Sequence, residues 1–345
     1  MSKKQTPMLT TFVREDTSPR DRRPDDFGAM VNMLLVLSVT AAVSVYYYGL
    51  RALICVLLCV GICWGLDVFC LILKKKTLHI HDISPIITGL TIALMLPASV
   101  PYTVAASACV FAICVAKHPL GCHRNEIFNC AAAGYIFAEL CFPSAVLSYP
   151  KPMTELAFDN IVPQTLYPSF TYAASQATSV SISDIELLIG NFTGPMGCTF
   201  TVLAAVCALY LVFSRTISGT VFFTQFAVIV GWNMAFGGVF RVKYALAGGM
   251  VLFGLSVLFA ESSLLPKTIP ERFLFGLVSA ALLIFADELS RLENPVVYAA
   301  VLSAPFARLT GKFGELVRRR KRVKKIFGKY ASDINETIRM TGDER

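Results

Sequence analysis

The sequence predicts an all-α polytopic membrane protein with about ten transmembrane segments in two five-helix inverted repeats that contain short or broken helices. Two observations predict it. Hydrophobic residues make up 55% of the 345-residue chain and charged residues only 16%, so too little polar surface is available to cover a water-soluble globule. Apolar runs also recur along the whole chain, most of them close to the roughly 20 residues that a helix needs to cross a bilayer.

Ten apolar segments qualify as spans. They cover residues 29–50, 52–73, 83–97, 102–117, 125–142, 198–214, 219–238, 244–261, 271–289 and 295–309. The third is short and is bounded by Pro85 and Pro97, and the fifth and tenth each begin with an acidic residue and Asn before small residues. Short or broken segments at matching places in two halves predict an inverted repeat.

The charge distribution predicts the orientation. If both termini are cytoplasmic, all but five of the 31 Lys and Arg residues lie on the cytoplasmic side, the bias that orients membrane proteins. The predicted regions are a cytoplasmic basic tail (1–27), a first five-helix repeat (28–142), an extracytoplasmic loop (143–197), a second five-helix repeat (198–310) and a second cytoplasmic basic tail (311–345).

Several functional classes are excluded by the sequence. The net charge of +8 is concentrated at the two ends, notably in "RRRKRVKK" at 318–325. A basic cluster beside a membrane helix is an orientation and lipid-binding signal, so a nucleic-acid partner is not expected. The chain has no Gly-rich phosphate loop, no His-x-x-x-His pair and no pair of C-x-x-C motifs, so soluble-enzyme chemistry has no motif here.

Two groups have the spacing of metal ligands. Cys55, Cys59 and Cys63 repeat every four residues on one helical face, and "LHIHD" contains His79, His81 and Asp82. Because a thiol inside an apolar run behaves as a small hydrophobe, core packing is favoured over a metal or cluster site for the cysteines. A solvated loop is favoured for the second group.

Ionisable residues inside apolar segments are more informative, because a charge in hydrocarbon is costly unless it faces a cavity or a partner. Asp67 and Glu139 lie deepest and are the candidates for an ion or proton path. An interfacial position or an interhelical hydrogen bond is the alternative for both. It is the favoured interpretation for Glu139, and also for Glu261, Asp287 and Glu288, which lie near segment ends.

Three stretches resemble a known family. "TGLTIALMLPASVPYT" (88–103), "FAICVAKHPLGCHRNEIFNCA" (111–131) and "DIELLIGNFTGPMGCT" (184–199) resemble the D-type subunit of the Rnf ion-translocating electron-transport complex and the related B-type subunit of the sodium-pumping NADH:quinone reductase. The matching residues are Lys117, Gly121, Ile127, Phe128, Asn129, Gly190, Gly194, Gly197 and Thr199. The resemblance covers roughly residues 18–312.

The resemblance implies a covalent cofactor in "YAASQATSVS" (172–181). The family joins flavin mononucleotide (FMN) by a phosphoester to a threonine in D-x-x-[ST]-G-A-T-[ST]. Thr178 stands at the acceptor position, and Ser175, Ala177 and Ser179 match its neighbours. Tyr172 and Gln176 stand where the family has Asp and Gly. The alternatives are a plain linker and a subunit that has lost its flavin.

The function implied is that of a membrane component of an ion-translocating ferredoxin:NAD oxidoreductase, which relays electrons through FMN, contributes to Na⁺ or H⁺ translocation and is not active alone. Asn129 and Lys117 would join Asp67 and Glu139 in the ion path. A second, non-covalent flavin would be compatible. The partners would be the other membrane and peripheral subunits and a flavin transferase, in a bacterial or archaeal inner or plasma membrane.

A protein of another class has the same predicted architecture. A solute channel or secondary transporter without a redox role would also contain repeats with broken helices. The two classes differ in whether the chain carries a covalent flavin.

Overall fold

A computed structural model describes residues 25–74, 83–119, 128–153, 156, 166–169, 183–247, 250–259, 268–290, 293–307 and 309–311. The helices of the first half are α1 (Asp25–Tyr48), α2 (Leu50–Leu73), α3 (Ser84–Met95), α4 (Tyr102–Val110) with its π-helical continuation (Phe111–Lys117), α5 (Cys130–Cys141) and α6 (Pro143–Val146). The helices that follow are α7 (Asp184–Ile189), α8 (Thr201–Phe213), α9 (Gly219–Ala247), α10 (Val251–Val257), α11 (Ile269–Ser290) and α12 (295–307).

Four helices are long and apolar enough to cross a membrane: Phe27–Tyr48, Leu50–Leu73, Gly219–Leu246 and Ile269–Glu288. Shorter apolar helices cover Ser84–Met95, Tyr102–Lys117, Cys130–Cys141 and Thr201–Phe213. The prediction of a mostly helical membrane protein is therefore confirmed. Ten full spans, the inverted repeat and the orientation of the termini stay predictions.

The segment predicted at 244–261 differs most from the structure. Helix α9 continues past 238 to Ala247, although Gly238 interrupts its helical geometry with φ 65° and ψ −164°. The helix that follows, α10, has only seven residues. The apolar run at 244–261 is predicted as one span because the end of α9 and the short helix α10 are both apolar and adjacent in sequence.

The cysteines of α2 pack in the core. Cys55, Cys59 and Cys63 are all buried and belong to the main hydrophobic cluster. Within the ranges that the structure describes, no group of three or more His, Cys, Asp or Glu side chains is arranged to hold a metal ion, and this favours core packing for the three thiols. His79, His81 and Asp82 lie outside the described residues.

The connection between the two halves enters the helical core. Its strands β1 (Tyr149–Pro150) and β2 (Leu166–Tyr167) pair antiparallel. Further along, the Met196 N–H donates to the Leu96 carbonyl at 3.2 Å and the Gly197 N–H to the Leu94 carbonyl at 2.7 Å. The broken end of α3 is thus paired with a loop, which satisfies backbone groups that no water reaches.

Two glycines allow this loop to pack closely. Gly190 has φ +89°, and a Cβ there would lie 1.9 Å from the Thr199 carbonyl oxygen. A Cβ on Gly197 would lie 2.8 Å from the Leu94 Cβ. Only glycine fits such close approaches without a shift of the backbone.

Candidate functional site

A buried ion pair lies near the end of α2. The Lys117 Nζ is 3.0 Å from the Asp67 Oδ1, and the two residues are 1% and 3% exposed. Each charge compensates the other, since either alone would carry a desolvation penalty of several kcal/mol in this environment. The structure therefore brings together two of the residues predicted for the ion path, 50 positions apart in sequence.

The π-helical segment Phe111–Lys117 delivers Lys117 to this position. A π-helix has wider turns than an α-helix, and π-helical turns inside α-helices are frequent at functional sites. The ring of Phe111 stacks on the ring of Phe137 of α5, with centroids 4.4 Å apart. This contact packs the segment against α5, and its last residue reaches Asp67 on α2.

Two further basic groups complete the cluster. The His118 Nε2 lies 3.1 Å from the same Asp67 oxygen. The Lys74 Nζ donates to the His118 carbonyl at 2.8 Å and lies 3.5 Å from its Nδ1. With a neutral imidazole the four side chains carry one net positive charge. We call Lys74, Asp67, Lys117 and His118 the basic cluster.

His118 is the titratable member of the basic cluster near neutral pH. It lies one residue beyond the π-helical segment. Burial lowers the pKa of His118, the Lys74 and Lys117 charges lower it further, and the Asp67 carboxylate opposes them. The imidazole therefore binds a proton less readily than that of an exposed histidine.

Asn129 has a structural role at the start of α5. Its side-chain oxygen accepts hydrogen bonds from the N–H groups of Ala131 and Ala132 at 3.0 and 3.1 Å, the arrangement of a helix N-cap. Its Nδ2 donates to the Leu258 carbonyl, just past the end of α10, at 3.2 Å. Asn129 thus connects the two halves, and its place in an ion path stays a prediction.

Glu139 lies on α5 about 15 Å from Asn129, at 1.5 Å per residue. It is 6% exposed, and the Tyr298 hydroxyl of α12 hydrogen-bonds to its carboxyl group. Among the residues that the structure describes, its Oε2 has no hydrogen-bond partner. Glu139 thus forms no ion pair with the basic cluster or with any other cation among the described residues.

A hydroxyl network lies close to Glu139. The Asn294 Nδ2 donates to the Tyr135 hydroxyl at 2.7 Å and to the Tyr149 hydroxyl at 3.3 Å. Asn294 precedes α12 as Asn129 precedes α5, which agrees with the similarity of the two segments in sequence. Each Asn contacts the opposite half of the chain.

Thr178, Ser175, Ala177 and Ser179 lie outside the described residues, but the chain on either side is fixed. The Ser169 N–H donates to the Glu293 Oε1 at 3.2 Å. Burial raises the pKa of Glu293, and hydrogen bonds from Ser169 oppose that shift. Ser183 and Glu186 form a capping box that begins α7. The proposed flavin stretch is thus preceded by a residue bound to Glu293 and followed by the start of a capped helix.

Sequence reasoning missed three participants. His118 and Lys74 are not among the residues predicted for the ion path, although His118 adjoins Lys117 and Lys74 begins the "KKK" run. Arg51 lies between the first two predicted spans and is not predicted to be buried, but it is 5% exposed. An arginine at the start of an apolar run was the available signal.

Comparison with known proteins identifies the family. The model of the NQR2, RnfD, RnfE family matches residues 17–313. The chain is 24% identical over 313 residues to the D-type subunit of the proton-translocating ferredoxin:NAD(+) oxidoreductase complex of Clostridium ljungdahlii, covering 84% of this chain and 90% of that protein. It is 26% identical to the D-type subunit of the ion-translocating oxidoreductase complex of Vibrio cholerae, covering 77% of this chain and 72% of that protein.

A third relative belongs to a complex that is named for Na⁺ instead of protons. The D-type subunit of the Na(+)-translocating ferredoxin:NAD(+) oxidoreductase complex of Acetobacterium woodii is 28% identical over 235 residues, which are 63% of this chain and 70% of that protein. The resemblance seen in the three stretches at 88–103, 111–131 and 184–199 is confirmed. The family model matches residues 17–313, which include both halves of the chain and the connection between them. The chain belongs to the NQR2, RnfD, RnfE family.

Proposed function

We propose that this chain is the D-type membrane subunit of an ion-translocating ferredoxin:NAD oxidoreductase complex, and that it carries FMN on the hydroxyl of Thr178. The observation that carries the proposal is the family match over residues 17–313. The relatives named as D-type subunits of such complexes are also covered along most of their own length. The other membrane and peripheral subunits would be its partners.

The local structure supports the position of the flavin. The stretch 170–182 is bounded by Ser169, which is held by Glu293, and by the capping box at Ser183. A flavin transferase needs a short peptide with small neighbours to reach a hydroxyl, and Ala177 and Ser179 flank Thr178. FMN supplies the electron-transfer chemistry when bound, and the protein supplies its position and electrostatic surroundings.

For ion translocation, we propose that the basic cluster is one station. Asp67 is the anion there, and its two partners are side chains that change position or protonation more readily than backbone does. Glu139, whose Oε2 has no partner among the described residues, would be a second station, closer to Tyr298 and Asn294. The proposal does not specify Na⁺ or H⁺, since relatives of both kinds match.

The flavin is tested by in-gel ultraviolet fluorescence of the denatured chain, co-expressed with a matching flavin transferase. A fluorescent band is expected from the wild type and none from Thr178→Val. Ser181→Ala is the matched control, because it removes a nearby hydroxyl that lies outside the motif and should leave the band. A dark wild-type band would reject the covalent flavin and favour the solute-transporter class, while a bright Thr178→Val band would reject the site.

The ion path needs a charge-balanced variant. Asp67→Asn alone would leave the buried Lys117 without its partner, so a loss of transport would be confounded with misfolding. Asp67→Asn combined with Lys117→Met removes both charges, and we expect assembly to be retained and coupled ion transport to fall at least tenfold. Wild-type transport in the double variant would remove the basic cluster from the path.

A further inference from the structure

Helix α3 breaks inside the protein at a point that leaves carbonyl groups in need of donors. It ends at Met95, and residues 96–101 continue as non-helical backbone. Pro97 and Pro101 lack an N–H and prevent the helix from continuing. Ala98 and Val100 are each 1% exposed, so water does not satisfy their carbonyls, and buried carbonyls require partners.

The side chain of Arg51, at the start of α2, supplies these donors. Its Nε donates to the Ala98 carbonyl at 2.9 Å, and its Nη2 lies 3.3 Å from the carbonyl oxygens of both Ser99 and Val100. Arg51 is 5% exposed. Three consecutive carbonyls therefore converge on one buried guanidinium group.

Two other features favour a positive charge at this point. The Arg51 Cζ lies 5.3 Å from the centroid of the Tyr102 ring, within the range of a cation–π interaction. The C-terminal end of α3, which carries the partial negative charge of the helix dipole, is directly upstream and offsets the partial positive charge where α4 begins at Tyr102. Carbonyl oxygens, an aromatic face and a helix C-terminus are all surroundings that stabilise a cation.

Broken helices of secondary transporters use unwound carbonyls and half-helix C-termini of this kind to coordinate Na⁺ or H⁺. We infer that the carbonyls of Ala98, Ser99 and Val100, with the Tyr102 ring, form a monovalent-cation site that the Arg51 guanidinium occupies. The chain thus fills the site with its own side chain, and free cations are kept from the break in α3.

The ligand that fits the emptied site best is a guanidinium ion. It is planar, always charged and weakly hydrated, and it reproduces the donors that Arg51 presents. An alkali ion shares the charge but not the shape. Urea shares the planar shape and the N–H donors but has no charge, so it separates recognition of a cation from hydrogen bonding alone.

The test uses the assembled complex in mild detergent, with this chain fused to a fluorescent tag. The midpoint temperature at which the chain leaves the complex is measured by size-exclusion chromatography after heating. We expect Arg51→Ala to lower this midpoint by roughly 5–10 °C. Millimolar guanidinium chloride should restore at least half of the loss with saturable dependence, while urea at equal concentration restores none and the wild type is unaffected.

Arg241→Ala is the matched control. Arg241 is a half-buried arginine paired with the Glu288 carboxylate instead of carbonyls, so guanidinium should not restore its midpoint. Recovery of Arg51→Ala by NaCl as well would show that alkali ions also occupy the site and would support the inference. Equal recovery by urea, equal recovery of Arg241→Ala, or no recovery by either cation would overturn it.

If Arg51→Ala does not assemble, Arg51→Lys and Arg51→Gln carry the test. Lysine keeps the charge with a different donor geometry, whereas glutamine keeps N–H donors without the charge. We expect the midpoint of Arg51→Lys to exceed that of Arg51→Gln by several degrees. A glutamine variant as stable as the lysine variant would show that the site does not recognise charge and would contradict the inference.

Discussion

The two ends of α2 each bury one charge, and they compensate it in different ways. Arg51 and Asp67 are 16 residues apart, which is about 24 Å along a helix. The Arg51 guanidinium binds backbone carbonyls of residues 98–100. The Asp67 carboxylate contacts two side chains, those of Lys117 and His118. Arg51 and Asp67 are thus nearly equally buried, but the first is bound by backbone carbonyls and the second by side chains.

These two kinds of partner indicate which end of α2 is able to change its charge or its contacts. Backbone carbonyls carry fixed dipoles and do not titrate, so these three partners of Arg51 keep the same charge unless α3 moves. Lysine and histidine side chains rotate, and histidine can gain a proton, which His118 does at a lower pH than an exposed histidine because its pKa is lowered by burial. The Asp67 end is thus the part of α2 where a passing ion or proton would alter the local charge.

Removing one charge at the Asp67 end is expected to have the largest effect. Lys117→Met leaves the Asp67 carboxylate buried without its main partner and should lower the free energy of unfolding by about 3–5 kcal/mol. Adding Asp67→Asn should restore most of that loss, because the pair then carries no charge. Unfolding in mixed micelles measures both variants.

The half-exposed pair of Arg241 and Glu288 is the control for this prediction. Arg241→Met should lower the free energy of unfolding by less than about 1 kcal/mol, because a half-exposed pair is screened by water. Equal effects of Lys117→Met and Arg241→Met would show that burial does not distinguish the two pairs.

At the Arg51 end, Tyr102→Leu should have an intermediate effect. It removes the aromatic face beside a desolvated guanidinium, an interaction of about 2 kcal/mol. Tyr167→Leu is the matched variant: the Lys151 Nζ lies 4.7 Å from that ring, but Tyr167 is 41% exposed, so about 0.5 kcal/mol is expected. A larger loss from Tyr167→Leu would contradict the environment assigned to Arg51.

The smallest effect is a pH dependence at the Asp67 end. Because the pKa of His118 is lowered in the folded chain, the unfolded chain binds more protons as the pH falls below about 6.5. Stability should therefore decrease on acidification through that range. His118→Gln should flatten the dependence of the thermal midpoint between pH 8 and 5, and an unchanged slope in the variant would show that His118 does not titrate as proposed.

The sequence predicted the helical membrane class because apolar length alone indicates it, and it singled out Asp67 because a charge interrupts an apolar run. It did not predict that Asp67 meets Lys117, since the contact depends on the π-helical segment and on how α2 packs against α4. Arg51 was assigned to a loop because counting charges does not show which basic residue turns inward. Asn129 was placed in the ion path by resemblance, and its N-cap geometry emerged only from the structure.

The central claim, a flavin-bearing component of an electron-transport complex, is tested most directly by mass spectrometry of the peptide spanning residues 152–215, from chain co-expressed with a flavin transferase. We expect a peptide heavier by FMN minus one water, with fragment ions that place the addition on Thr178. An unmodified peptide recovered in full yield from active complex would contradict it.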